Sequence, residues 1–350
     1  MKDSQKPKKK RLFKKINLNK PTEKVLHSSF NPNSKASNQN SFRKKKNTLF
    51  FLLIPLILLT AFAALYSLNR NIYQNIEKSE MYSLSKSEIA PIPVLRYVYQ
   101  PELTARAAVV MDADSKTVLF SKNSDLRLSM ASTAKIMTAF VANEYYQADS
   151  ALTIKSRGIQ GSVLGLQFGD KFYYDDLLYA MLLPSANDAA VAIVDNYTPG
   201  RNEFVEKMNE KARNWHLFST NFSDPTGLDD DGNFTTAIDL ARLGSIVTKD
   251  NKLSKVTATQ QKIITNQRRS KQYVLSNLNR LLGASGVNGI KTGTTEGAGE
   301  VLLTSAVQHG RTFIIVVMNS QDRFGDTSVL LDYVVTNVEL VKLDAPVENL

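Results

Sequence analysis

The last two thirds of the chain are predicted to form an α+β domain, and three features of the sequence support that class. Short runs of β-branched and apolar residues, separated by turn residues, indicate a β-hairpin near each end of this region. Between the two hairpins lie segments whose apolar residues recur at helical spacing. Antiparallel strands at both ends with helices between them are typical of the α+β class.

The predicted strands pair into two hairpins. Ala107–Met111 and Thr117–Phe120 flank a run of polar turn residues. Val301–Val307 and Thr312–Met318 flank a second turn that contains a glycine. The segment Lys291-Thr292-Gly293 precedes the second hairpin, and we expect it on or beside a neighbouring strand of the same sheet.

Helices are predicted between and after the hairpins. The segments with helical spacing of apolar residues are Thr133–Tyr146, Phe204–Trp215, Thr236–Val247 and Ser328–Val341. Their number and length are enough to cover a sheet and to form a further helical part of the domain.

Positive charge is concentrated at the N-terminal end. Residues 1–47 hold 15 Lys and Arg against two acidic residues, which leaves 29 against 31 in the rest of the chain. The folded region is therefore close to neutral, and we expect no nucleic-acid partner despite the net charge of +11. The composition of residues 1–47 predicts a basic, disordered, cytoplasmic tail.

An apolar segment follows this tail. Residues 48–68 are 21 uncharged and mostly apolar residues, which as a helix would reach roughly 30 Å and match a bilayer core. The basic flank predicts that the N-terminal side is cytoplasmic and the rest extracellular. Ala61-Phe62-Ala63 offers a signal-peptide cleavage site as an alternative, but the long preceding region favours an uncleaved anchor. Residues 69–95 are predicted to be a polar extracellular tether before the folded domain, residues 96–350.

The sequence lacks the residue patterns that thiol, metal-dependent and histidine-based catalysis need. The chain has no Cys, which excludes disulfides, thiol nucleophiles and thiolate metal sites. None of its three His lies in an H-E-x-x-H segment, and no G-x-S-x-G segment occurs. We therefore expect neither a metal nor a cofactor.

One segment supplies a nucleophile and a base. Ser132-Thr133-Ala134-Lys135 lies at the start of the first predicted helix, where the i, i+3 spacing places Ser132 and Lys135 on one face. Free N–H groups at a helix start favour developing negative charge, and a desolvated lysine can take a serine proton. Alone the pattern is weak, because it recurs at Ser41 and Ser83.

Two further motifs follow in chain order. Ser185-Ala186-Asn187 precedes a predicted helix start and can project a hydroxyl and an amide into a cleft, although Ser and Asn are also common helix caps. Lys291-Thr292-Gly293 occurs once, and its glycine lets a ligand backbone approach a strand. The joint occurrence of the three motifs, 53 and 106 residues apart, predicts one acyl-transfer site.

From about residue 100 onward, the chain resembles the low-molecular-weight penicillin-binding proteins, which are serine D-alanyl-D-alanine carboxypeptidases. The blocks that carry the resemblance are residues 131–138, 185–190, 224–228 and 236–241 and the glycine-rich stretch around Lys291. The resemblance implies a β-lactamase/DD-peptidase-like fold: a five-stranded antiparallel sheet flanked by helices, an all-helical subdomain and the site between them. It also implies a bacterial cell-wall enzyme held at the membrane.

The resemblance assigns catalytic roles to five residues of this sequence. Ser132 would attack the carbonyl between the two terminal D-alanines of a peptidoglycan stem peptide, and Lys135 would accept its proton. Ser185 and Lys291 would relay a proton to the leaving amine, while Asn187 would hold the substrate amide. β-Lactam antibiotics would acylate the same serine, and no cofactor is needed.

Substrate-binding roles follow in the same way. The backbone N–H groups of Ser132 and Thr294 would form the oxyanion hole. The side chains of Thr292 and Thr294 would bind the substrate carboxylate, and Gly293 would let the substrate approach the strand. Arg323 stands at a position where this family often has a carboxylate-binding arginine.

Three alternatives are considered. A class A β-lactamase uses Ser-Asp-Asn and a glutamate-directed water, whereas this chain has Ala186 and no Glu-x-x-Leu-Asn segment between Asn187 and Lys291. A DD-endopeptidase that cuts peptidoglycan cross-links remains open. A catalytically silent wall-binding protein is opposed by the intact reacting residues.

Overall fold

The computed structural model describes residues 48–83 and 91–342. The predictions for the basic tail, residues 1–47, and for residues 84–90 of the tether lie outside these residues. The described residues fall into two units, 48–83 and 91–342.

In the first unit the described residues form one helix, α1 (Thr48–Ser83), with Pro55 inside it. Its side chains are described for residues 55–76, and the large apolar ones are exposed, for example Leu59 at 67% and Phe62 at 70%. Over the described residues, none of the helices meets the combined requirement of length and hydropathy for a membrane span.

The strands of the second unit lie mainly at its two ends. In chain order they are β1 (Ile92–Leu95), β2 (Ala107–Asp112), β3 (Val118–Lys122), β4 (Leu128–Ser129), β5 (Ala151–Thr153), β6 (Lys171–Tyr173), β7 (Phe234–Thr235), β8 (Gln261–Thr265), β9 (Gln272–Ser276), β10 (Val287–Thr295), β11 (Gly299–Gln308), β12 (Arg311–Ser320) and β13 (Val338–Val341).

Helices fill the middle of this unit and close its C-terminal end. A 3₁₀ turn at Ala131–Ala134 leads into α2 (Lys135–Tyr145), and the helices that follow are α3 (Tyr174–Leu182), α4 (Asn187–Asp195), α5 (Arg201–Asn214), α6 (Ala237–Val247), α7 (Asn251–Thr257) and α8 (Arg323–Asn337).

Five strands form one antiparallel sheet in the order β10-β11-β12-β2-β3. Successive residues of β12 serve two different cores. Ile314 and Val316 pack toward α6 and the other helices, whereas Ile315 and Val317 pack toward α8. Both faces of the sheet are covered, which explains why β11 and β12 are continuous apolar runs without alternation. The predicted fold is confirmed, and β10 carries the third motif at an edge of the sheet.

The helical part packs around large buried side chains that lie far apart in the sequence. Phe172, Tyr174, Phe204 and Met208 are fully buried in one core with α2, α3 and α4. This part also carries two-stranded sheets, β5 with β6 and β8 with β9, that were not predicted. Their strands are three to five residues long, too short to give a clear alternating pattern.

Several predicted boundaries differ from the structure, two of them at the ends of the folded domain. The last helix ends at Asn337 and not at residue 341, because Val338–Val341 forms β13 and pairs antiparallel with β1. The predicted tether extended to residue 95, but Ile92–Leu95 is a strand of the folded unit. Both differences have one cause, since short apolar segments at opposite ends of the domain pair with each other and local spacing cannot reveal it.

Candidate active site

The centre of the site is the turn that holds Ser132. The prediction was a helix start near this residue, and the structure has the 3₁₀ turn followed by α2, with Ala131 at a φ of 47°. Lys135 Nζ donates a hydrogen bond to Ser132 Oγ at 2.8 Å and another to the Thr226 carbonyl oxygen at 2.8 Å. The serine and the lysine are thus in contact at the expected i, i+3 spacing.

Lys135 is completely buried, and this changes its chemistry. Burial lowers the pKa of Lys135 from 10.5 to about 7, and the nearby Asp224 carboxylate opposes this effect only in part. A lysine with that pKa is unprotonated in about half of the molecules at pH 7, because the pKa then equals the pH. It is therefore able to accept a proton near neutral pH.

The loop Asp224–Gly227 supports the serine turn from the other side. Asp224 accepts backbone hydrogen bonds from Thr226 at 3.0 Å and Gly227 at 2.7 Å. A Cβ on Gly227, whose φ is 79°, would lie 1.9 Å from the Ala131 carbonyl oxygen. The sequence showed this loop as a block of the resemblance, but nothing in its pattern indicated that a backbone carbonyl binds Lys135.

Strand β10 packs directly on the same turn. A Cβ on Gly293 would lie 2.8 Å from Ala131 Cβ and 3.0 Å from the Ser132 nitrogen, so the glycine permits this approach. Lys291 is buried and donates to the Thr292 carbonyl oxygen at 3.0 Å. Burial, followed by the positive charges of Lys135 and Arg323, lowers the pKa of Lys291 well below its ordinary value.

The second motif lies at the start of α4, and we call Ser185 and Asn187 the helical wall. Ser185, at a φ of 64°, and Asn187 at the start of α4 are both buried. Asn187 Nδ2 donates to the Gln160 carbonyl oxygen at 2.7 Å. Within the described part of the chain, Ser185 Oγ and Asn187 Oδ1 are buried without a hydrogen-bond partner. Unsatisfied buried polar atoms are costly, and the described residues supply no hydrogen bond to either of these two atoms.

Asp188 holds a loop against this wall. Its carboxylate accepts backbone hydrogen bonds from Leu164 at 3.1 Å, Gly165 at 2.9 Å and Leu166 at 2.9 Å. In the same loop, a Cβ on Gly161 would lie 2.5 Å from Asn187 Nδ2. Nothing in the sequence indicated this role, because the loop has no regular pattern of apolar residues.

The remaining predicted residues meet at the end of β10. Arg323 Nη1 donates to the Gly293 carbonyl oxygen at 2.8 Å and to Thr294 Oγ1. Its Nε is buried and has no partner among the described residues. Burial lowers the pKa of Arg323, while Glu300, which also accepts from the Arg323 backbone N–H at 2.9 Å, opposes that shift. The structure thus brings Arg323, Gly293 and Thr294 together.

Comparison with known proteins identifies the family. Residues 96–322 match the family described as D-alanyl-D-alanine carboxypeptidase. The chain belongs to this family. It is 32% identical over 246 residues to D-alanyl-D-alanine carboxypeptidase DacF of Bacillus subtilis and 34% identical over 254 residues to D-alanyl-D-alanine carboxypeptidase DacC of Escherichia coli, with 67% of this chain covered in each case. The chain spans 63% and 62% of the lengths of these two relatives.

Solved structures of family members have the same fold. The Streptomyces K15 DD-transpeptidase is 30% identical, with a TM-score of 0.62 over 67% of this chain and 98% of that one. A D-alanyl-D-alanine carboxypeptidase from Mycobacterium tuberculosis is 25% identical, with a TM-score of 0.64 over 73% of this chain and 100% of that one. The likeness covers nearly the full length of both solved chains.

Proposed function

We propose that the chain is a serine D-alanyl-D-alanine carboxypeptidase. It removes the terminal D-alanine from peptidoglycan stem pentapeptides through an acyl-enzyme on Ser132. The observation that carries this proposal is the contact of 2.8 Å between Lys135 Nζ and Ser132 Oγ, with the lysine buried and its pKa lowered to about 7. A buried amine beside a hydroxyl is the arrangement that activates a serine without histidine.

The acylation step uses the serine turn and the end of β10. Ser132 Oγ attacks the carbonyl between the two D-alanines, and its proton passes to the neutral Lys135 Nζ. The backbone N–H groups of Ser132 and Thr294 stabilise the oxyanion that forms. The close packing of Gly293 on the Ser132 nitrogen supports this assignment, because it brings β10 beside the serine.

The leaving D-alanine needs a proton and its carboxylate needs partners. Ser185 and Lys291 relay the proton to the amine, while Asn187 holds the peptide amide of the substrate. Thr292, Thr294 and Arg323 bind the terminal carboxylate, with Gly293 allowing its approach. The unpartnered Ser185 Oγ, Asn187 Oδ1 and Arg323 Nε support these roles, because a bound substrate offers groups that satisfy them. Water then hydrolyses the ester on Ser132.

Purified full-length protein tests this function. We expect release of D-alanine from a pentapeptide that ends in D-Ala-D-Ala, and stable covalent labelling by fluorescent penicillin. Ser132→Ala removes both, whereas Ser121→Ala, an exposed serine that also begins a Ser-x-Asn sequence, serves as the matched control. Rapid turnover of penicillin without D-alanine release identifies a β-lactamase and contradicts the proposal.

A DD-endopeptidase is the second candidate function. Two family relatives carry that name, D-alanyl-D-alanine endopeptidases of Pseudomonas aeruginosa, 31% identical over 242 residues, and of Escherichia coli, 28% identical over 249 residues. A cross-linked peptide dimer offered beside the pentapeptide separates the two functions. Preference for the pentapeptide supports the carboxypeptidase, and preference for the dimer supports the endopeptidase.

We propose further that residues 48–68 anchor the chain in the bacterial cell membrane, with the basic tail cytoplasmic, residues 69–91 as tether and the catalytic domain outside. The 21 uncharged residues behind a basic flank support this assignment, as do the exposed apolar side chains of α1. Within this segment, the exposed side chains belong to residues 55–68, since those of residues 48–54 are not described.

Because the chain has no Cys, a single introduced cysteine reports its side of the membrane. We expect Glu102→Cys, at an exposed position, to react with a membrane-impermeant maleimide in intact cells. Ser41→Cys should react only after the cells are opened, and the cysteine-free wild type is the control. Labelling of both positions, or of neither, in intact cells contradicts this topology.

A further inference from the structure

A groove of about 530 Å³ lies beside the proposed active site and shares residues with it. Gln160, whose carbonyl oxygen holds Asn187, lines the groove, and so does Thr226, whose carbonyl oxygen holds Lys135. Apolar contact surface comes from Val191 and other side chains. The groove therefore adjoins the proposed site at these two residues.

Two arginines line the groove without a carboxylate partner. Arg157 and Arg201 are exposed. Among the described residues, neither guanidinium makes an ion pair or a hydrogen bond, and Arg157 only stacks on the Phe168 ring at 4.3 Å. A guanidinium binds a carboxylate through two parallel hydrogen bonds, so the pair is suited to an anionic group of a ligand.

Among the described residues, the two acidic residues of the groove form no ion pair with these arginines. Asp195 accepts a hydrogen bond from Ser156 Oγ. Asp224 is occupied by the backbone N–H groups of its own loop and by Thr226 Oγ1 at 2.8 Å. Both carboxylates keep their negative charge, because these donors are neutral, but they are already hydrogen-bonded, whereas the two guanidinium groups keep unused donors for a ligand carboxylate.

We propose that this groove binds the part of the stem peptide that precedes D-Ala-D-Ala, and that Arg157 and Arg201 recognise a free carboxylate on it. The inference rests on the proposed function. Two parts of a stem peptide carry such a carboxylate. A second-position D-glutamate linked through its γ-carboxyl keeps a free α-carboxylate, and a diaminopimelate in the third position carries a carboxylate that lysine lacks.

Three pentapeptides identify the carboxylate. The first has γ-D-glutamate and diaminopimelate, the second has the glutamate α-carboxylate converted to an amide, and the third has lysine in the third position. With the full-length protein at low salt, we expect kcat/KM for D-alanine release to fall about three- to fivefold for the peptide that lacks the recognised carboxylate, the upper range for exposed charge pairs. Raising the salt concentration should reduce this difference.

The arginine variants decide whether the groove is responsible. Arg157→Gln combined with Arg201→Gln should remove the discrimination between the peptides. Arg213→Gln, on the same helix as Arg201 but outside the groove, should keep it. Unfolding temperatures within a degree of wild type show that the variants are folded. Equal kcat/KM for the three peptides in the wild type, or unchanged discrimination in the double variant, overturns the inference.

Equilibrium binding separates this inference from the proposed function. The same peptides are titrated into the Ser132→Ala variant by calorimetry, with and without the two arginine substitutions. Carboxylate-dependent binding that the arginines control supports the groove even if the wild type releases no D-alanine. Turnover by the wild type together with carboxylate-independent binding rejects the groove and leaves the carboxypeptidase assignment standing.

Discussion

The two lysines of the site are both buried, yet their surroundings differ. Lys135, on the helix side, binds Ser132 Oγ and the Thr226 carbonyl oxygen and lies in the field of the Asp224 carboxylate. Lys291, on the strand side, donates to one acceptor among the described residues, the carbonyl oxygen of its neighbour Thr292, and faces two positive charges. Acceptors and a negative charge stabilise the charged form of Lys135, whereas neighbouring cations destabilise the charged form of Lys291.

This difference fits the two tasks proposed for these lysines. The pKa of Lys135, about 7, suits a group that takes a proton from a hydroxyl and later returns it near neutral pH. Burial, followed by the positive charges of Lys135 and Arg323, lowers the pKa of Lys291 well below its ordinary value, and a negatively charged substrate carboxylate near Arg323 would reduce the repulsive part of this effect. We infer that Lys135 is ready before the substrate binds, whereas substrate binding completes the environment of Lys291.

Replacing each lysine should give the largest effects. Lys135→Met removes the base, and we expect the rate of acylation by penicillin to fall about 10³-fold, within the usual range for general-base catalysis. Lys291→Met should lower kcat/KM for D-alanine release about 10- to 100-fold, because it removes a relay and leaves the base in place. Stopped-flow acylation and D-alanine release measure the two. Equal losses for both variants would show that the lysines do not divide the tasks.

The pH dependence of acylation should follow Lys135. Protonated Lys135 cannot accept the serine proton, so the rate should fall as pH drops below about 7, approaching tenfold for each further pH unit. The measurement is the second-order rate constant for penicillin acylation between pH 5 and 9. Lys291→Met should keep this acid limb at the same pH. If the acid limb moves by one pH unit or more in Lys291→Met, the group that titrates is not Lys135.

The two lysines should also affect stability in a pH-dependent way. The pKa of Lys135 rises from about 7 in the folded protein to 10.5 on unfolding, so between these values the unfolded chain binds the extra proton. The free energy of unfolding therefore rises with pH across that interval, by on the order of 1 kcal/mol per pH unit, and the same sign applies to Lys291.

Urea unfolding at pH 7 and pH 9.5 measures this gain. Lys291→Met should be more stable than wild type at pH 7, with the advantage shrinking toward pH 9.5. Lys135→Met should gain less stability, because it leaves the Thr226 carbonyl oxygen without its donor. Lys171→Met, at an exposed position, is the control. If Lys291→Met is less stable than wild type at pH 7, then burial and repulsion do not destabilise the charged form of Lys291 in the folded protein.

Loosening the helical wall should give the smallest effect on activity. Asp188→Asn weakens the hold on the loop that carries Gln160, and we expect a loss of about fivefold in kcat/KM, mostly through KM. Asp188→Glu should restore part of it, since the carboxylate is retained. Steady-state kinetics with the pentapeptide tests both variants. A loss confined to kcat would show that the loop acts on the reacting groups directly.

The sequence predicted the elements that follow from short local patterns. It missed the contacts made by backbone groups that are distant in the chain. The β2–β3 and β11–β12 hairpins and the i, i+3 contact of Ser132 with Lys135 each follow from a short pattern. The role of the Thr226 carbonyl and the grip of Asp188 on its loop do not, because a backbone acceptor has no residue signature and the contacts span 91 and 22 to 24 residues.

Arg323 lies between these cases. Its identity came from the resemblance, and its position depends on α8 beginning at Arg323, five residues earlier than apolar spacing indicated. Asp322 caps this helix by accepting from the Gly325 N–H at 3.0 Å. An aspartate as N-cap is a signal that the sequence did contain.

The pairing of β1 with β13 has a practical consequence for engineering. Ile92 lies opposite Val341, so the two ends of the described catalytic domain emerge side by side. A short glycine-rich linker would join residues 342 and 91 without crossing the domain. New ends are then best opened in the turn between β11 and β12, at His309 and Gly310, which are exposed and lie outside the residues that build the site. Such a circular permutant would place a sensor or a fusion partner on either side of this turn.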